Sequence, residues 1–436
     1  MTRRVADLLA EGLVALGATR LWGEPIPGLP TDDGMAHLRP RLLPIDDPDL
    51  SVLIADADGR LGPGIGAALV PGGILHLSSK PGGLAAPISV RTPEELVDSL
   101  ASAAGSLVPE TSAIHLDLDL EEPVEDDLVA RVDRPDGIVT TLNPSFAEAE
   151  VVVVVGPGVV RGGFVDGLAE LARRTGWPVL NTWGAKGVFP WFDLHHAGTA
   201  GLQERDFELA GLASAELVVV SGLDPDESPV DALGSHLVLE VEPWQLAALT
   251  YHWEPRPAEP PARRPLYEAL SAVITPLYER TDVPVAPARA ALHLSGARPD
   301  GALVVADPGR AGFWLARTFP TTEAGAVVVP ATRVAGFAAS AALVAGLAGR
   351  ACVAVLDELD PVSEAILEIG ERLDVPTAVQ VWSAVGVLAD VDAHARLTEE
   401  QFAGRRGIVD VPVAEGDEDE LIEVAGPIVA WPESSS

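Results

Sequence analysis

Residues 151–155 are five consecutive valines, and the run stops at Gly156-Pro157-Gly158. β-Branched side chains favour an extended backbone. A strand with no polar alternation is buried on both faces, as in a parallel sheet with helices on either side. The surrounding pattern agrees: a helix is predicted over Gly163–Thr175, with strands at Pro178–Leu180, Glu216–Ser221 and Leu237–Val241. Further along, apolar runs at Ala302–Ala306, Cys352–Leu356 and Thr377–Val381 repeat the theme. Ahead of it, a helix at Val5–Leu16, strands at Thr19–Trp22, Ser51–Ile54, Ile74–Leu77 and Ser112–Leu118, and a helix at Pro93–Ala104 read as alternating strand and helix in a parallel sheet.

The expected architecture is therefore three α/β domains with mainly parallel sheets, over residues 1–135, 145–251 and 265–430. A loop rich in Asp, Glu and Pro at Glu121–Pro144 separates the first two, and a stiff linker at 252–264, with Pro255, Pro257, Pro260 and Pro261, separates the last two. Pro432–Ser436 is expected to be a frayed tail.

Charge excludes some functions. With 29 basic against 65 acidic residues and a net charge of -36, the chain repels nucleic acid and anionic membrane. Lysine occurs only at Lys80 and Lys186. The one cysteine, Cys352, lies in an apolar strand pattern and is expected to be a buried, inert thiol. No signal-peptide pattern opens the chain, and Val334–Gly349 is too short to span a bilayer. A cytoplasmic protein is expected. His195-His196 beside Asp193 could mark a metal cluster but is expected to be a surface loop, and the acidic run Gly416–Glu420 a solvated one. Trp183 and Trp191 could line a pocket, with packing on the sheet the expected role.

In order, the three blocks resemble the thiamine diphosphate-dependent enzymes, the family of acetolactate synthase and benzoylformate decarboxylase. Val151–Gly158 is similar to the central domain's strand and glycine turn, and Pro178–Thr182 with Gly184-Ala185-Lys186-Gly187-Val188-Phe189-Pro190 to its G-K-G-x-x-P segment. Ala6–Gly23 and Val90–Leu118 are similar to parts of the pyrimidine-binding domain. In the diphosphate-binding-like block, Asp307-Pro308-Gly309 resembles the D-x-G turn, Gly336-Phe337-Ala338 the glycine segment near the diphosphate, and Asp357 the aspartate of G-D-G. Pro376 and Ser383-Ala384 fall where the family has a proline and an Asn pair.

The resemblance implies thiamine diphosphate and Mg²⁺ as cofactors, with Asp307, Gly309, Gly336, Phe337, Asp357 and Ser383 at the cofactor and Asp357 and Ser383 on the metal. It also implies a homodimer or homotetramer with active sites shared between chains. The departures fall on the chemistry. Leu356 and Glu358 replace the glycines flanking Asp357, Ser383-Ala384 replaces the asparagines, and no glutamate lies between Glu24 and Glu94, where the family carries its activating one. Asp56 and Asp58 are the acids available there; the catalytic residue is not assigned.

The first expectation is thus a catalytically impaired relative, a pseudoenzyme with a scaffold, regulatory or small-ligand-binding role. The second is an active thiamine diphosphate- and Mg²⁺-dependent lyase or transferase of the 2-oxo acid decarboxylase or acetolactate synthase type. The third is a module binding FAD or an ADP-containing nucleotide at Gly156-Pro157-Gly158.

Overall fold

The computed structural model describes residues 3–26, 28–29, 39–62, 64–104, 111–125, 128–129, 140–228, 233, 237–253, 259–375 and 377–432. Pro255, Pro257, Pro376 and most of the tail lie outside the described residues. The chain divides into two compact units, 1–138 and 139–436.

The first unit contains α1 (Val5–Ala15), β1 (Arg20–Gly23), β2 (Arg41–Leu43), α2 (Pro48–Leu61), β3 (Gly66–Val70), β4 (Ile74–Ser78), β5 (Ile88–Val90), α3 (Pro93–Ala104) and β6 (Thr111–Leu116). Its six strands run in the order β2-β1-β3-β4-β6-β5. One expectation is narrowed here and one fails. The sheet is mixed: β4 is antiparallel to both β3 and β6. Pro71-Gly72-Gly73 closes a hairpin, with Gly72 and Gly73 at φ of 86° and 73° supplying the left-handed turn conformation. The strand predicted at Ser51–Ile54 is instead the core of α2. Asp47 caps that helix by accepting from the N–H groups of Asp49 and Leu50, and Pro48 opens its first turn.

The second unit contains two sheets. The elements of the first are β7 (Val151–Val155), α4 (Pro157–Arg161), α5 (Val165–Thr175), β8 (Val179–Thr182), β9 (His196–Ala200), α6 (Asp206–Leu209), β10 (Leu217–Ser221) and β11 (Val238–Glu240). All are parallel, in the order β11-β10-β7-β8-β9, and β7 is buried throughout. After α7 (Pro265–Glu279) and α8 (Pro287–Ala297) come β12 (Leu303–Ala306), α9 (Arg310–Thr318), β13 (Val327–Val328), α10 (Phe337–Leu347), β14 (Cys352–Leu356), α11 (Pro361–Arg372), β15 (Ala378–Ser383), α12 (Val391–Phe402), β16 (Gly407–Pro412) and α13 (Glu418–Ala425). These five strands are also all parallel, ordered β13-β12-β14-β15-β16. The molecule is thus α/β with three mainly parallel sheets. The apolar stretch 334–349 became α10, buried against β12 and β14.

Three smaller expectations are corrected. His195 and His196 are both buried, with His196 opening β9. The acidic run ends as the first turn of α13, where carboxylates suit the helix dipole, and Asp417 pairs with Arg280 at 2.6 Å. Cys352 is free and only partly buried by exposed area; burial of its thiol pushes its pKa up to about 12. Among the described residues no helix is long and apolar enough to cross a membrane.

Candidate functional site

In an open parallel sheet, ligands bind outside the carboxyl ends of the strands where the winding reverses. In the last sheet that point lies between β12 and β14, because the chain leaves β12 for β13 on one side and returns to β14 on the other. Asp307 follows β12 and Asp357 follows β14, so the fold brings two of the predicted residues to the two lips of one crevice.

Both carboxylates are already engaged. Asp357 accepts from the backbone N–H of Arg310 at 2.8 Å through Oδ2 and from that of Ala311 at 2.7 Å through Oδ1. It therefore closes the amino end of α9. Gly309, also predicted for the site, leaves room for this contact, since a Cβ there would stand 2.2 Å from Asp357 Oδ2. Asp307 accepts from the N–H of Ala338 at 2.7 Å and closes the amino end of α10, which Gly336 precedes as its cap with φ of 80°. Phe337 is fully buried in the first turn of that helix. A third acid, Asp360, accepts from Val362 and Ser363 at 2.9 and 3.0 Å and caps α11. It is not among the predicted site residues, although Asp-Pro before an apolar periodic run is a local helix-start signal.

The electrostatics record this crowding. Burial raises Asp357 above the usual carboxylate range, against the opposing backbone N–H bonds and Arg310. Burial likewise pushes Asp307 up to about 7, with Asp360 and Asp357 adding to the effect. Glu358 is exposed, whereas Leu356 is buried. Ser383 ends β15, the strand beside β14, but its hydroxyl donates to Val385 O at 2.8 Å and accepts from Val385 N–H at 3.2 Å. Among the described residues no group of three or more His, Cys, Asp or Glu is arranged to hold a metal ion, the Asp193–His195–His196 cluster included.

The two acids near the position of the missing glutamate are also occupied. Asp56 bonds His76 Nε2 at 2.7 Å, both side chains being buried, and accepts from Gly82 N–H at 3.2 Å. Asp58 pairs with Arg20 at 2.6 Å and accepts from Trp22 Nε1 at 3.2 Å. At the switch point of the second sheet, between β7 and β10, Gly158 N–H donates to Gly222 O at 2.9 Å, and a Cβ on Gly156 would lie 2.3 Å from that same carbonyl oxygen. The backbone just after β10 thus packs directly against the start of α4.

Comparison with known proteins bears on the central segment and on the fold. The central domain of thiamine pyrophosphate enzymes matches residues 147–237. The acetolactate synthase of Mycobacterium avium is 36% identical over 81 residues, which is 19% of this chain and 13% of that enzyme. The acetolactate synthase large subunit of Mycobacterium tuberculosis is 34% identical over 89 residues, 20% of this chain and 14% of its own length. The chain thus spans a small part of the curated relatives it matches. An X-ray structure from Mycobacterium smegmatis, provisionally described as a thiamin diphosphate-dependent enzyme, superposes with a TM-score of 0.61 at 15% identity, covering 95% of this chain and 100% of the other. The central segment is thus similar in sequence to the central domain of thiamine pyrophosphate enzymes, and nearly the whole chain shares the fold of the Mycobacterium smegmatis structure.

Proposed function

We propose that the chain is a catalytically impaired relative of these enzymes, with a scaffold, regulatory or small-ligand-binding role, in which the crevice for a diphosphate and its metal is filled by the protein's own carboxylates. The three-part division at 1–135, 145–251 and 265–430 belongs to this reading, as does assembly into a homodimer or homotetramer. One observation carries it: Asp357 and Asp307 take the N–H groups at the starts of α9 and α10. Helix amino ends are the natural donors for a phosphate. A diphosphate entering here would have to displace two carboxylates from those donors and then lie beside them. Two like charges about 4 Å apart repel by about 1–4 kcal/mol between water-like and surface-like dielectrics. The residues present therefore do not fit thiamine diphosphate. Ser383, turned into its own loop, offers little to a metal that demands near-ideal octahedral geometry.

Calorimetry with thiamine diphosphate and Mg²⁺ tests the proposal. The expected result is no saturable heat. Micromolar binding that disappears in Asp357→Ala would defeat it.

A further inference from the structure

Lys186 is one of two lysines in the chain and is 6% exposed. Among the described residues its ammonium finds one acceptor, Arg317 O at 3.4 Å, so two of its three N–H groups have no protein partner. A buried charge so poorly bonded is costly. Its pKa is pulled down to about 7, first by burial and then by Arg317.

The surrounding charges do not relieve it. Arg317 is fully buried against Asp206, with Nη2 at 2.8 and 2.9 Å from the two carboxylate oxygens and Nη1 donating to Thr199 O at 2.7 Å, so the charge of Asp206 is already paired. Asp193 is bonded to His195 at 2.9 Å, and Arg263 lies 4.1 Å over the Tyr267 ring while donating to backbone oxygens. Tyr278 donates to Thr318 O, and burial raises its pKa. His196 is 9% exposed, its Nδ1 has no partner among the described residues, and burial followed by Lys186 and Arg263 lowers its pKa to about 3, so the ring is neutral.

Lys186 and His196 line a cavity of about 90 Å³, room for several water-sized groups. The hydroxyl-bearing Ser271 and Thr275 line it too, with Leu270, Ile274 and Phe319 as its apolar wall. An unneutralised ammonium, an unpartnered imidazole and a short apolar wall describe the complement of one small amphipathic anion.

We propose that this cavity binds a short-chain monocarboxylate, its carboxylate paired with Lys186 and its alkyl end against Leu270, Ile274 and Phe319. The site lies at the carboxyl end of α9, whereas the carboxylate-filled crevice lies at its amino end. It gives the small-ligand role a chemistry, but its success or failure is independent of whether thiamine diphosphate binds.

The test is calorimetry of the full chain with acetate, propionate and butyrate, at pH 6 and pH 8, in buffers of different ionisation enthalpy. The wild type should show saturable binding that tightens from acetate to propionate. At pH 8 it should take up close to one proton per site, at pH 6 almost none, and affinity should fall about tenfold per pH unit above about 7. Folded Lys186→Met should lose binding; where that variant does not fold, proton uptake by the wild type decides. Absence of saturable heat in the wild type, binding without proton uptake at pH 8, unchanged binding in Lys186→Met, or equal binding of inorganic phosphate would each overturn the proposal.

Discussion

Asp357 contributes to stability as a helix cap, and its neighbours show how tightly it is held. Asp357→Ala leaves the Arg310 and Ala311 N–H groups without their acceptor and should cost about 1–2 kcal/mol in urea denaturation. Gly309→Ala places a Cβ against the same carboxylate and should cost about 1–3 kcal/mol. Because the obstruction is Asp357 itself, the penalty of Gly309→Ala should largely vanish in an Asp357→Ala background, a coupling that a double-mutant cycle measures. Additive costs would mean that the two residues do not meet.

Asp307 makes a pH-dependent prediction. Its folded pKa, about 7, lies above the ordinary value of 3.8, so between these limits the folded chain holds a proton that the unfolded chain has released. The stability it contributes is present below about pH 4 and lost as pH rises through about 7. Asp307→Asn, which keeps an acceptor for Ala338, should gain on the wild type across that window, by about 2–4 kcal/mol at full extent. Lys186 has the opposite profile: its penalty is complete below about pH 7 and fades toward 10.5, so the advantage of Lys186→Met should shrink as pH rises between them.

At the scale of the element, what was legible in the sequence depended on how local the signal is. Strands β7, β10, β12 and β14 were evident because a parallel strand buried on both faces is a continuous apolar run. Helix α2 resists reading from sequence because Val52-Leu53-Ile54 is a short β-branched and apolar run that fits either state, and only the Asp47-Pro48 start signal ahead of it separates the two. Strand β9, His-Ala-Gly-Thr-Ala, has too little apolar character to be noticed, and β13 is two residues long. The site divided in the same way. Asp307 and Asp357 could be placed at strand ends from sequence, but their acceptance from α9 and α10 depends on which helix start lies opposite, a tertiary fact. The packing of α2 is itself testable: Gly59→Val would drive a side chain into Ser78 O, 2.0 Å from an ideal Cβ. Hydrogen exchange should then report lost protection in β3 and β4, with β14 protection retained in the other unit. Unchanged β3 exchange would refute that packing.

For the whole molecule, the net charge of -36 is the dominant long-range fact. Self-repulsion on that scale weakens the compact state and is screened by salt. Thermal stability should therefore rise between low salt and about 1 M NaCl, where the Debye length is about 3 Å. The same surplus of negative charge bears on the crevice, because an incoming diphosphate meets it before reaching the helix starts.

The central claim is that the donors at α9 and α10 are used by Asp357 and Asp307, and inorganic pyrophosphate tests it most directly. Titrated with and without Mg²⁺, the wild type should show no saturable binding, while the Asp307→Ala/Asp357→Ala double variant, with both acceptors and both charges removed, should acquire it. Mg²⁺-dependent pyrophosphate binding by the wild type that is lost in the double variant would contradict the account, because Asp357 would then be holding a metal.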